Sequence, residues 1–131
     1  MPYLRMSVVL LGLAVLVGCG SGLDVGHLGK KTTRLEVVKT DSSGHLEASR
    51  ILESPDSIQM VLAVVSNSDA PEVSCDYNYE LRCFDGNDEF FFLVELNSAD
   101  ICQSAVFKYE GELYYRYLDD RGADYLETLF N

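Results

Sequence analysis

The amino-acid sequence predicts an α+β domain: a small antiparallel sheet, with one long helix packed on a face and a short helix at the C-terminal end. Three observations carry that prediction. Short runs of alternating apolar and polar residues recur between turn clusters, which is the period of half-buried strands. One segment, after Ser54, instead places its apolar residues at helical spacing. The 131 residues, 47% apolar and 11% aromatic, supply one core and are too few for several domains.

The elements follow in chain order. Thr33-Arg34-Leu35-Glu36-Val37-Val38-Lys39 partly alternates, Asp41-Ser42-Ser43-Gly44 is a turn cluster, and His45 to Leu52 returns, so the domain opens on a hairpin. Ser54-Pro55-Asp56 then starts a helix. Ser54 can cap it, Pro55 sits where a missing N–H costs nothing, and Asp56 suits the positive end of the dipole. Ile58, Val61, Leu62 and Val65 fall at i, i+3, i+4 and i+7 and extend it over residues 55–66, until Asn67-Ser68-Asp69-Ala70-Pro71 ends it.

A four-strand meander follows. Cys75, Tyr77, Tyr79, Leu81 and Cys83 share one side of a strand, and Asp85-Gly86-Asn87-Asp88 is a hairpin turn. Glu89 to Leu96 is apolar on both sides and reads as a central strand. Val106–Tyr109 and Glu112–Leu118 flank Glu110-Gly111, with Leu113, Tyr115 and Tyr117 on one face and Tyr114, Arg116 and Leu118 on the other. Asp119 or Asp120 caps a last helix over residues 122–130, with Tyr125, Leu126 and Leu129 inward.

The N-terminal segment has a different character. Arg5 precedes a charge-free stretch from Met6 to Gly22 whose most apolar part is Val8–Val17. That is the layout of a secretory signal, and it is too short for a membrane-spanning helix of about 20 apolar residues. Leu16-Val17-Gly18-Cys19 at its end resembles the lipobox of bacterial lipoproteins. The resemblance implies that residues 1–18 are removed as a lipoprotein signal peptide and that the Cys19 thiol receives a diacylglyceryl group. Two or three acyl chains on one residue, at about 0.8 kcal/mol per buried CH₂, would hold the protein on a bilayer without crossing it. The resemblance also implies a cell-envelope address. With Gly rather than Asp at position 20, the outer membrane facing the periplasm is favoured over the inner membrane. Residues 19–31, with Gly20, Gly22, Gly26 and Gly29, then read as a lipidated flexible tether, and residues 32–131 as the single α+β domain.

Acidic residues outnumber basic ones 21 to 10, a formal charge of -11. That excludes a nucleic-acid partner, which needs clustered Lys and Arg. The carboxylates are scattered from Asp24 to Glu127, as on a solvated surface or on one that meets a basic protein.

Among the cysteines left in an oxidising compartment, Cys75 and Cys83 would sit about 26 Å apart on one strand, beyond disulfide reach. With the turn centred on Gly86-Asn87, Cys83 faces Phe90 and Cys75 lies near Ser98. The expected bridge is therefore Cys75–Cys102, worth about 3 kcal/mol, with Cys83 left either as a buried apolar residue or for an intermolecular bond. The cysteines and His27 or His45 lack zinc spacing, and a calcium loop counted from Asp85 would need Gly at Phe90 and Glu at Leu96, so no metal is expected. Neither a nucleophile with a base nor a phosphate-cradling loop is present, so the chain is expected to be no enzyme and to hold no cofactor. Tyrosines that cannot all enter one core face, Tyr77, Tyr79, Tyr114, Tyr115 and Tyr117, are the candidate binding surface. Two functions fit: a protein-binding module of inhibitor or immunity type for a basic partner, or a structural or assembly accessory of the envelope.

Overall fold

The computed structural model describes residues 23–72, 75–99 and 102–131; the expected signal peptide over residues 1–18 and the expected lipid-bearing Cys19 lie outside the described residues. The expected hairpin is β1 (Arg34–Thr40) with β2 (Leu46–Leu52). Its turn is fastened by the Asp41 carboxylate, which accepts from the amides of Ser43 at 2.8 Å and His45 at 3.0 Å. After helix α2 (Pro55–Leu62), β3 (Val65–Asp69) leads to the meander β4 (Tyr79–Phe84), β5 (Phe90–Asn97), β6 (Ser104–Tyr109) and β7 (Glu112–Leu118). Between β6 and β7, Glu110 at φ 49° and Gly111 at φ 83° form the tight left-handed pair whose twist matches a hairpin.

The hairpin and the meander are one sheet. β1 pairs with β4, placing Val37 opposite Leu81, and β3 pairs with β7, placing Val65 opposite Leu118. The result is a seven-stranded antiparallel sheet in the order β2-β1-β4-β5-β6-β7-β3. Two expectations are corrected. The sheet has seven strands, because β1 has a neighbour on each side and Val65–Asp69 adds an edge strand. There is also no long helix: α2 closes at Ala63, where the backbone turns. The Val64 carbonyl then accepts from the Asp119 amide at 2.8 Å, tying the chain to the end of β7.

Helices line only one face. Val25 of α1 (Val25–Leu28), Ile58, Val61 and Leu62 of α2, and Leu126 of α3 (Asp120–Thr128) join Leu35, Val37, Leu81, Cys83, Val94, Leu96 and Phe107 in the core. Each buried aliphatic side chain of this kind contributes roughly 1.5–3 kcal/mol. The stretch that reads as tether up to residue 31 is packed from Val25 onward, which corrects that expectation. Val25 is buried, and the 3-10 turn Gly29–Lys31 lies so close to Leu62 that a Cβ on Gly29 would come 2.4 Å from its Cδ1. The cause is local, since the Asp24 carboxylate caps the Gly26 amide at 2.8 Å and starts a helical turn that carries Val25 inward. Asp119 likewise caps α3 at the Arg121 amide, so that helix begins before residue 122. Gly122 is required there, because a Cβ would sit 2.4 Å from the Val64 Cα. No described helix is long and apolar enough to cross a membrane.

Candidate functional site: the uncovered face of the sheet

The other face of the sheet carries the alternate residues of each strand. Glu36, Glu80, Arg82, Glu95, Tyr115 and Tyr117 stand on it by strand parity. Two carboxylates are paired with near neighbours: Glu80 with Arg82 at 2.7 Å, and Glu36 with Arg34 at 3.3 Å. Glu95 is different. It lies directly across the β4–β5 ladder from Glu80, and among the described residues no ion pair includes it. Burial pushes its carboxyl above the usual range, and the charge of Glu80 adds to the rise.

A cleft opens beside it because two strands part. The β5–β6 ladder runs from Asn97 opposite Ser104 to Val94 opposite Phe107 and goes no further, although β5 begins at Phe90 and β6 continues to Tyr109. The parted strands leave about 490 Å³, lined on the uncovered face by Tyr77, Leu93, Glu95, Val106, Leu113 and Tyr115, with Lys108 beside them. Tyr77 and Tyr115 are close enough to influence each other. Burial raises the Tyr77 hydroxyl, with Tyr115, Glu95 and Glu72 adding to it; the Tyr115 hydroxyl is raised by desolvation and then by Glu72. Glu72 and Tyr77 both belong to the connection from β3 back to β4, which therefore reaches this face.

That connection is clasped. Cys75 and Cys102 form the expected disulfide, with Cα atoms 6.5 Å apart. Asn78 adds two bonds to Ser98, donating from Nδ2 to Oγ and accepting from the Ser98 amide, each at 3.1 Å. Cys83 is free and fully buried, and burial pushes its thiol up to about 11. It faces Phe92 rather than Phe90, because the Asp85–Glu89 turn leaves Phe84 opposite Phe90 and a bulge follows.

Of the five tyrosines expected at a binding surface, Tyr77, Tyr115 and Tyr117 are on this face, and Tyr117 is 47% exposed. The other two are corrections. Tyr79 is fully buried beneath the helices and donates from its hydroxyl to Glu127 Oε1 at 2.9 Å, which holds that hydroxyl far above its ordinary range, burial being the larger cause. Tyr114 shares parity with Arg116 and stacks on Phe107 with ring centres 5.4 Å apart, on the helix side. Tyr77 and Tyr79 also part company, since β4 begins only at Tyr79 and Tyr77 turns with the preceding connection. Sequence reasoning missed Glu95, whose one signal was a carboxylate set inside the apolar run Phe90–Leu96. It also missed Arg116, which is 2% exposed and spans the Asp69 carboxylate, 3.0 Å from its Nε, and the Leu23 carbonyl, to which Nη1 donates at 3.0 Å.

Among the described residues, no three His, Cys, Asp or Glu side chains converge on a point where a metal would bind. No family model, curated protein or solved structure matches the chain.

Proposed function

We propose that the protein is a lipid-anchored envelope lipoprotein that acts as a protein-binding module, in the manner of an inhibitor or immunity protein, and that its uncovered sheet face docks a basic partner. The anchor rests on the likeness of Leu16-Val17-Gly18-Cys19 to a lipobox, and the partner's chemistry on the formal charge of -11. One observation carries the docking face: strands from β1 to β7 place Glu36 and Glu80, each paired with an arginine, together with Glu95, Tyr115 and Tyr117 on the side that the helices leave bare, so that Glu95 is the carboxylate there without an ion pair among the described residues. Tyrosines with carboxylates around them suit an interface whose affinity comes from aromatic anchors and whose steering comes from charge.

The test uses the full chain in its native membranes. Wild type is expected to capture a basic protein at low salt and to release it at high salt. A Glu36→Gln/Glu80→Gln double variant should capture it several-fold less well, whereas Asp124→Asn on the helix side should behave as wild type. A partner held equally at both salt concentrations and by all three proteins would sink this reading. It would favour the structural accessory, which the exposed apolar Leu46, Ile51 and Met60 would serve. Separately, Cys19→Ser should leave the membrane fraction, and its persistence there would remove the anchor.

A further inference from the structure

We infer that the cleft between the parted ends of β5 and β6 is a receptor for one arginine side chain of the basic partner, with Tyr77 and Tyr115 against the guanidinium and Glu95 as its counter-charge. This rests on the docking-face reading and goes on to name what that face reads.

The site is already built. Strand parting leaves about 490 Å³, ample for one long side chain, without any rearrangement of the backbone. Its lining joins two phenol rings and four phenylalanine rings to the aliphatic side chains Leu93, Val106 and Leu113, and Glu95 is the carboxylate among them. An acid placed in apolar surroundings opposite a second acid is disfavoured in the free protein, and a cation paired with it would offset both the lost hydration and the repulsion from Glu80. Aromatic faces attract cations as well, most strongly where water is excluded.

The choice of arginine over lysine follows from shape. A planar guanidinium can lie against a ring and present parallel N–H donors to a carboxylate, while its three methylenes cover the aliphatic wall. A lysine ammonium is strongly hydrated and would lose more water on entering. The groups facing Glu95 from neighbouring strands are Glu80 and Arg82 on β4, Lys108 on β6, Tyr115 on β7, and Tyr77 from the connection. Arg82 is engaged with Glu80 at 2.7 Å, and Lys108 is exposed and lies outside ion-pair distance of Glu95. The counter-charge is thus left for a visitor.

The experiment titrates the full chain with a hexa-arginine peptide and, as comparator, a hexalysine peptide. Glu95→Gln should weaken hexa-arginine binding about tenfold, near the 1.4 kcal/mol that one charge-assisted contact supplies. Tyr115→Ala should weaken it comparably, and Glu47→Gln, an exposed carboxylate on β2, by less than about twofold. The Glu95 carboxyl resonance followed against pH should titrate lower with peptide bound than without. Far-ultraviolet circular dichroism checks that each variant is folded. The cleft assignment is overturned if Glu95→Gln and Glu47→Gln lose equal affinity, if hexalysine binds as tightly, or if the Glu95 titration does not move. Those outcomes leave the docking face standing whenever the Glu36→Gln/Glu80→Gln variant still loses the partner.

Discussion

At Glu95 the folded chain keeps a carboxylate where an uncharged group would be easier to hold. Its folded pKa lies above the ordinary 4.5, so above that raised value the charge opposes folding, and below 4.5 the group is protonated in folded and unfolded chains alike. Stability contributed through Glu95 therefore increases as pH falls from neutrality through the raised value. Glu95→Gln carries no such penalty and should unfold at a higher urea concentration than wild type at pH 7, the two curves meeting near about pH 4. Asp85 acts in the opposite direction: the Glu89 and Asn87 amides hold its carboxyl low, so its contribution is lost as acid passes through that depressed value. Comparing variant with wild type at each pH cancels Asp85 and isolates Glu95. A Glu95→Gln protein less stable than wild type at pH 7 would mean that Glu95 is paired in the resting fold. The residue scale is also where sequence reading was sharpest and then failed. Alternation assigned Leu113, Tyr115 and Tyr117 to one face correctly, because β7 is regular throughout. It misplaced Tyr77 relative to Tyr79, because parity is meaningful only inside a strand.

Among the elements, the hairpins and both longer helix starts were legible, since turn and cap residues act over a few positions. Pro55 and Asp56 open α2 as expected, although the expected cap fails because the Ser54 side chain makes no capping hydrogen bond, and Asp119 caps α3 two residues earlier than the predicted start at 122. The end of α2 was not legible. Val61, Leu62, Val64 and Val65 are all buried whether the last pair is helical or turns into a strand, so an apolar stripe cannot choose between the two. β3, Val-Ser-Asn-Ser-Asp, has the composition of a turn and becomes a strand only through β7, where the Ala70 amide donates to the Tyr115 carbonyl at 2.9 Å and Asp69 meets Arg116. The connection from β3 to β4 depends in the same way on its clasp. A Cys75→Ser/Cys102→Ser double variant should lose about 3 kcal/mol, read as a lower urea midpoint with a somewhat steeper slope, because the unfolded chain is no longer cross-linked and exposes more surface. A loss under about 1 kcal/mol would show that the Asn78 and Ser98 bonds hold the connection without the disulfide.

At the scale of the whole molecule, the strand order was beyond a local reading, because β1 meets β4 across about forty residues and nothing near either strand specifies the partner. The hint lay in Val37-Val38: both are buried, and a broken alternation of that kind marks a strand with neighbours on each side. Charge is the other property that belongs to no single element. With 21 acidic against 10 basic residues, the chain repels itself, while most of its ion pairs have a well-exposed partner and contribute only about 0–1 kcal/mol each. Salt at about 0.15 M shortens the screening length to about 8 Å, which weakens the many distant repulsions more than the few close attractions. The melting temperature should therefore rise when sodium chloride is raised from low millimolar to that range, by a few degrees for a gain of about 1 kcal/mol. The same salt should loosen a basic partner, so stability and binding are expected to move in opposite directions along one titration. A melting temperature that falls with salt would mean that local ion pairs govern the fold. Salt-sensitive binding would then have to be traced to individual contacts such as Glu95, since the long-range field of the acidic domain would be too weak to account for it.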